Sequence, residues 1–174
     1  CLYNDCAGEC GGSAVEDECG VCDGSGPETG FNCLGVPLAF IYNGSYLWAS
    51  YYIQTVTIDG ENVAADDWVG AFNGDVCVGS RPWDTSLCPT DICNIWLYIN
   101  DGSEQTTGYM TEGDIPSFKI YDASENTYYD AVASEDIPPW FISQMEVIDN
   151  LNVEPDCAGI LGGSAELDEC GVCG

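Results

Sequence analysis

The chain has 174 residues, 30 of them Asp or Glu, with only 2 Lys or Arg and no His, giving a formal net charge of −28. Phosphate backbones and anionic lipid surfaces are held through Lys and Arg, so this charge argues against a nucleic-acid partner and against membrane docking. The lack of His removes the commonest general base and zinc ligand, while 45% hydrophobic and 11% aromatic residues still supply a normal core.

Residues 1–33 are a Cys-, Gly- and acid-rich segment holding Cys1, Cys6, Cys10, Cys19, Cys22 and Cys33. Gly and Ser let the backbone turn sharply but bury little, so such a segment needs staples. Cysteines supply one kind. Carboxylates closing on a hard cation supply another, because Ca²⁺ takes six to eight oxygens from Asp, Glu, Asn, Ser and carbonyls. Asn4, Asp5, Ser13, Asp17, Glu18 and Asp23 offer such oxygens. No basic start with an apolar run is seen, and no stretch approaches the length of a membrane span, so no membrane insertion is expected. The chain opens and closes within a cysteine motif, which suggests a piece of something longer.

Residues 34–153 carry the pattern of an all-β domain. Short apolar runs at 38–42, 46–58, 68–72, 76–79, 95–99, 117–121 and 127–131 are punctuated by Gly, Asn and Asp. Asn73-Gly74 between two such runs is a hairpin signal. Residues 141–153 hold one or two closing strands, and no amphipathic helix of three turns is visible. Strands of this length and spacing predict an Ig-like or jelly-roll β-sandwich.

Residues 154–174 repeat the opening. Residues 5–22 and 156–173 are offset by 151 and share 14 of 18 positions, which reads as a connector alternating with one larger domain. Asp156, Ser164, Asp168 and Glu169 restore part of the oxygen-ligand set. The remaining cysteines are Cys77, Cys88 and Cys93 in mid-chain and Cys157, Cys170 and Cys173 at the end, 12 in all. An even number at this density predicts disulfides made in an oxidising compartment. Zinc or iron–sulfur ligation through Cys19-Gly-Val-Cys22 is the weaker alternative. The local counts of six, three and three leave an odd cysteine in each of the two smaller sets, which implies bridging between segments, or thiols that pair with another chain.

The motif Asp-Cys-Ala-Gly-x-x-Gly-Gly-Ser-Ala-x-x-Asp-Glu-Cys-Gly-Val-Cys resembles connector repeats of large secreted proteins from marine bacteria, which resemble thrombospondin type 3 repeats. That resemblance implies calcium held by the Asp positions and bracketed by disulfides, although the dense Asp-x-Asp-x-Asp-Gly runs of thrombospondin and the EF-hand loop are both absent. Residues 67–79, with Trp68-Val69-Gly70-Ala71-Phe72 and Cys77-Val78-Gly79, resemble a β-sandwich module of multidomain surface proteins of environmental bacteria; 118–123 fits its later strand.

Catalysis has little to stand on. No Ser–His–Asp or Cys–His arrangement exists, and nothing singles out a carboxylate pair. Trp83 and Trp140, in Pro-containing loops, are candidates for stacking on a sugar, against the alternative that they plug the ends of the sandwich. Trp48, Trp68 and Trp96 read as core or sheet-face residues. Arg81 and Lys119 are expected to pair with carboxylates. The sequence therefore predicts a non-catalytic repeating unit of an extracellular filament, fibre or adhesin stalk, secreted or at the cell surface. Calcium is its expected cofactor. Copies of itself are the expected partners, with glycans as a second class. The alternative is a carbohydrate-binding module of a secreted multidomain protein.

Overall fold

A computed structural model describes residues 3–174; Cys1, named above as a disulfide candidate, lies outside the described residues. The chain forms two compact units, Cys1–Ile41 and Tyr42–Gly174.

In the first unit, no residue from 3 to 36 is buried. Its order is local. Three isolated two-residue bridges, Asn4↔Cys10, Glu16↔Cys22 and Phe31↔Pro37, each close a loop of the same length. The run at 38–42, expected as a strand, instead begins with a single 3₁₀ turn, Leu38–Phe40. Pro37 fixes φ near −55° just ahead of it, and its carbonyl accepts from the Phe40 N–H at 2.8 Å, so the chain tightens where a strand would extend.

The second unit is all-β. Its strands are β1 (Trp48–Ile58), β2 (Glu61–Asn62), β3 (Trp68–Asn73), β4 (Val76–Pro82), β5 (Cys93–Tyr98), β6 (Ser117–Asp122), β7 (Thr127–Ala133) and β8 (Met145–Val153). They form one mixed sheet in the order β2-β1-β8-β7-β6-β3-β4, with β5 also on β1. The predicted hairpin is β3–β4, and its tight register Asn73↔Val76 leaves Gly74, at φ 59°, in the turn. Residues 141–153 yield one strand, β8, which pairs with β1 in parallel from Ser50↔Met145 to Ile58↔Val153. β5 lies on the other edge of β1, from Trp48↔Tyr98 to Ile53↔Cys93.

The sheet curls. β7 and β8 share only the pairs Val132↔Asn152 and Ala133↔Leu151, so the antiparallel half β4-β3-β6-β7 can fold over the half built on β1 and β8. Across the interior, the Tyr51 ring on β1 lies 6.0 Å from the Phe118 ring on β6. At the far side β4 closes on β5 so tightly that a β-carbon on Gly79 would overlap the Trp96 carbonyl oxygen. The core holds Ala49, Tyr51 and Ile53 from alternate positions of β1, with Leu97, Ile120, Trp140, Ile148 and Leu151.

Candidate functional site

The acidic connector loops were the sequence's strongest candidate, and their geometry is unusually uniform. At the N-terminal end, Asp5 Oδ1 accepts the N–H groups of Ala7 (3.1 Å) and Glu9 (2.8 Å), and Oδ2 accepts that of Ala14 (3.1 Å). Twelve residues on, Asp17 Oδ1 accepts from Cys19 (2.9 Å) and Val21 (2.8 Å), and Oδ2 accepts from Gly26 (2.8 Å). Asp156 does the same with Ala158, Ile160 and Ala165 at 2.9, 2.9 and 3.1 Å. Asp168 takes the first two positions of the pattern, Cys170 and Val172, at 2.8 Å each.

Each of these carboxylates is the hub of a knuckle. The Asp N–H donates to the carbonyl four residues on, and the Gly three residues on donates back to the Asp carbonyl. That Gly has φ of 85°, 75°, 79° and 79° at Gly8, Gly20, Gly159 and Gly171, a left-handed turn that side chains resist. A second glycine, Gly12, Gly24 or Gly163, lies against the hub, where a β-carbon would overlap Oδ2 of Asp5, Asp17 or Asp156. Small residues are therefore required at two positions by backbone shape and by closeness to the carboxylate. A charge-assisted acceptor with several short N–H donors is held in its ionised form. The Val21 and Gly26 N–H groups hold the Asp17 carboxyl below its ordinary value, and the Ile160 N–H does so for Asp156.

The sequence reading missed a fifth knuckle. Asn32 Oδ1 accepts from Leu34 (2.9 Å) and Val36 (3.0 Å), with Gly35 at φ 73°. Its signal was present as Asn32-x-x-Gly35, the Asp-x-x-Gly pattern with an amide in place of the acid.

The predicted oxygen ligands are not drawn together. Asn4 sits in the bridge to Cys10, Asp23 holds φ 57° with its N–H on the Val15 carbonyl, and Ser164 lines a groove of about 510 Å³ with Gly162, Gly163 and Glu154. A Cβ on Gly26 would meet Oε1 of Glu18. Ser13 and Glu169 are exposed loop residues. Among the described residues, no three Cys, Asp or Glu side chains converge on a point that could hold a metal ion. The oxygens of Asp5, Asp17 and Asp156 accept backbone N–H groups in this arrangement.

Four disulfides lie among the described residues: Cys6–Cys22, Cys19–Cys33, Cys88–Cys93 and Cys157–Cys173. Cys10 is disulfide-bonded as well. Each of the four closes within its own segment, so the expected bridges between segments are not seen. Cys77 and Cys170 are free thiols. Cys77 is buried on β4, and burial pushes its pKa up to about 11. Its nearest mid-chain candidates, Cys88 and Cys93, bond each other. Cys170 is exposed. These bridges are consistent with an oxidising, non-cytoplasmic setting, and no helix among the described residues is long and apolar enough to cross a membrane.

Both predicted sugar-stacking residues are out of reach. Trp83 is 3% exposed and Trp140 0%, because each loop folds its indole into the core. The two cations diverge. Lys119 pairs with Asp130 and lies 5.6 Å from the Phe72 ring centre, whereas Arg81 donates to the carbonyls of Pro82 (3.4 Å) and Asn94 (3.3 Å). Asp67 is a buried acid that ties the turn at Ala64 (2.7 Å) to the turn at Ala123 (2.8 Å). No protein-family model, curated protein or solved structure matches this chain.

Proposed function

We propose that this chain is a structural, non-catalytic repeating unit of an extracellular filament, fibre or adhesin stalk. The curled sheet, read as a β-sandwich of Ig-like or jelly-roll kind, supplies bulk; the knuckles supply spacing. The observation that carries this reading is the recurrence of the Asp5 hub at Asp156, with equivalent amides at equivalent distances after 151 residues. A connector ordered by hydrogen bonds and disulfides is stiff where a plain Gly/Ser linker would be a coil. Copies of the same chain are its natural neighbours. Calcium, the cation that the surplus of carboxylates and the thrombospondin-type resemblance suggest, would neutralise exposed acids and stiffen the connectors further.

The experiment is small-angle scattering of two copies joined in tandem. A rod of constant length is expected under oxidising conditions, with collapse to a flexible pair after reduction. A flexible profile before reduction overturns the stalk reading. Addition of EDTA separates the calcium role: unchanged length and association across a calcium titration would remove the ion from the proposal and leave the stalk.

A further inference from the structure

The outward face of three adjacent strands carries an aromatic platform that the stalk reading does not use. Alternation along β1 sends Ala49, Tyr51 and Ile53 inward and leaves Trp48, Ser50, Tyr52 and Gln54 facing out. The same alternation on β5 exposes Asn94 and Trp96, and on β8 it exposes Met145, Val147 and Asp149. Register aligns them into rows: Trp96, Ser50 and Met145 lie side by side, and Asn94, Tyr52 and Val147 form the next row. Gln54 Nε2 donates to Asp149 Oδ1 at one border. Trp48 is 40% exposed and Trp96 48%. Their ring centres are 5.5 Å apart with planes 36° from parallel, and Trp48 is 6.2 Å from the Tyr98 ring.

We infer that this face binds a neutral polysaccharide, with pyranose rings stacked on Trp48 and Trp96 and sugar hydroxyls bonded by Ser50, Tyr52 and Asn94. The chemistry of the face selects this occupant. Indole faces are electron-rich and match the C–H surface of a pyranose ring, while hydroxyl and amide groups between them match its alcohols. Charge disfavours the rivals: at −28 the chain repels uronic-acid polymers, and it repels a second copy laid face to face on these strands, an arrangement that end-to-end copies in a stalk do not need. The inference stands apart from the stalk reading, since either could fail without the other.

The test is titration calorimetry of the full chain with cellohexaose, mannohexaose, xylohexaose and an alginate oligomer, repeated on Trp96→Ala and Trp48→Ala. Binding of at least one neutral oligosaccharide is expected, weakened roughly five- to tenfold by either change, with none for alginate. Melting temperature checks that each variant folds. Should Trp48→Ala unfold, Trp96→Ala and Asn94→Ala decide alone. No neutral ligand bound at millimolar concentration, equal affinity for alginate, or affinity untouched by Trp96→Ala would overturn the inference. So would sedimentation showing a dimer that Trp96→Ala dissolves.

Discussion

Gly163 packs against Asp156 with no room for a β-carbon: one placed there would overlap the Oδ2 that receives the Ala165 N–H. The hub and its glycine are thus a single element, and the same pairing joins Gly12 to Asp5 and Gly24 to Asp17.

Gly163→Ala should loosen the C-terminal knuckle while leaving the sheet intact. The methyl must displace the carboxylate, an overpacking cost of about 1–3 kcal/mol to the local loop. Hydrogen exchange at Ala158, Ile160 and Ala165 should accelerate, with protection in β1 and β8 unchanged. Gly174→Ala, where a β-carbon meets nothing, is the control.

Asp156→Asn and Asp168→Asn should differ. Asn32 shows that one amide oxygen can serve two N–H donors. Asp168 has two such donors among the described residues, so its amide variant keeps them both. At Asp156 the added NH₂ would face the Ala165 N–H, donor against donor. Exchange mapped by NMR should show loss of protection at Ala165 in the first variant and little change in the second.

The connectors should be acid-labile. Asp17 and Asp156 titrate in the folded chain below their ordinary value of 3.8. A group with a depressed native pKa binds fewer protons folded than unfolded, so its contribution is present above 3.8 and disappears as pH falls through the lower native value. Amide protection in the Asp17 and Asp156 knuckles, measured from pH 6 to pH 2 (roughly the range that brackets carboxylate titration), should therefore hold to about pH 4 and then fall. Protection that instead rises on acidification would sink this account of the hubs.

The two free thiols should separate kinetically. At about pH 8 the exposed Cys170 should label quickly, because reaction needs an accessible thiolate. Cys77, buried and with its pKa raised to about 11, should label only on unfolding. Cys170→Ser should abolish the fast phase in the native protein.

Much of this was legible in local sequence. Strand positions followed from alternation and turn residues, because each five- or six-residue run carries its own signal. The parallel pairing of β1 with β8 did not, since Tyr51 and Glu146 meet across about 95 residues and nothing near either one specifies the other. The connector repeat was plain, but the hydrogen bonds that shape each loop were not. An exposed Asp reads as a cation ligand in a composition count, and only backbone direction reveals that the Asp5 oxygens face amide hydrogens. Trp83 and Trp140 followed the alternative to sugar stacking and fill the interior: a loop residue next to proline looks exposed until the loop's fold over the core is known.

Tyr51 offers a stability test of the core itself. Its hydroxyl is buried without a hydrogen-bond partner. A buried unsatisfied polar group costs about 1–3 kcal/mol, so Tyr51→Phe should leave melting temperature unchanged or raise it, while Tyr51→Ala should lower it, through a cavity that costs about 3–5 kcal/mol of stability. A clear loss of stability in Tyr51→Phe would show that the hydroxyl has a partner.

No residue of 3–36 is buried, so the N-terminal knuckles hold their shape with little apolar surface withdrawn from water. The heat-capacity increment of unfolding comes mainly from exposing such surface. Melting of these loops should carry very little of it, and their free energy should run nearly straight with temperature while that of the sheet domain bends. Cooling, which weakens hydrophobic cores, would leave these loops as firm in near-freezing water as in warm.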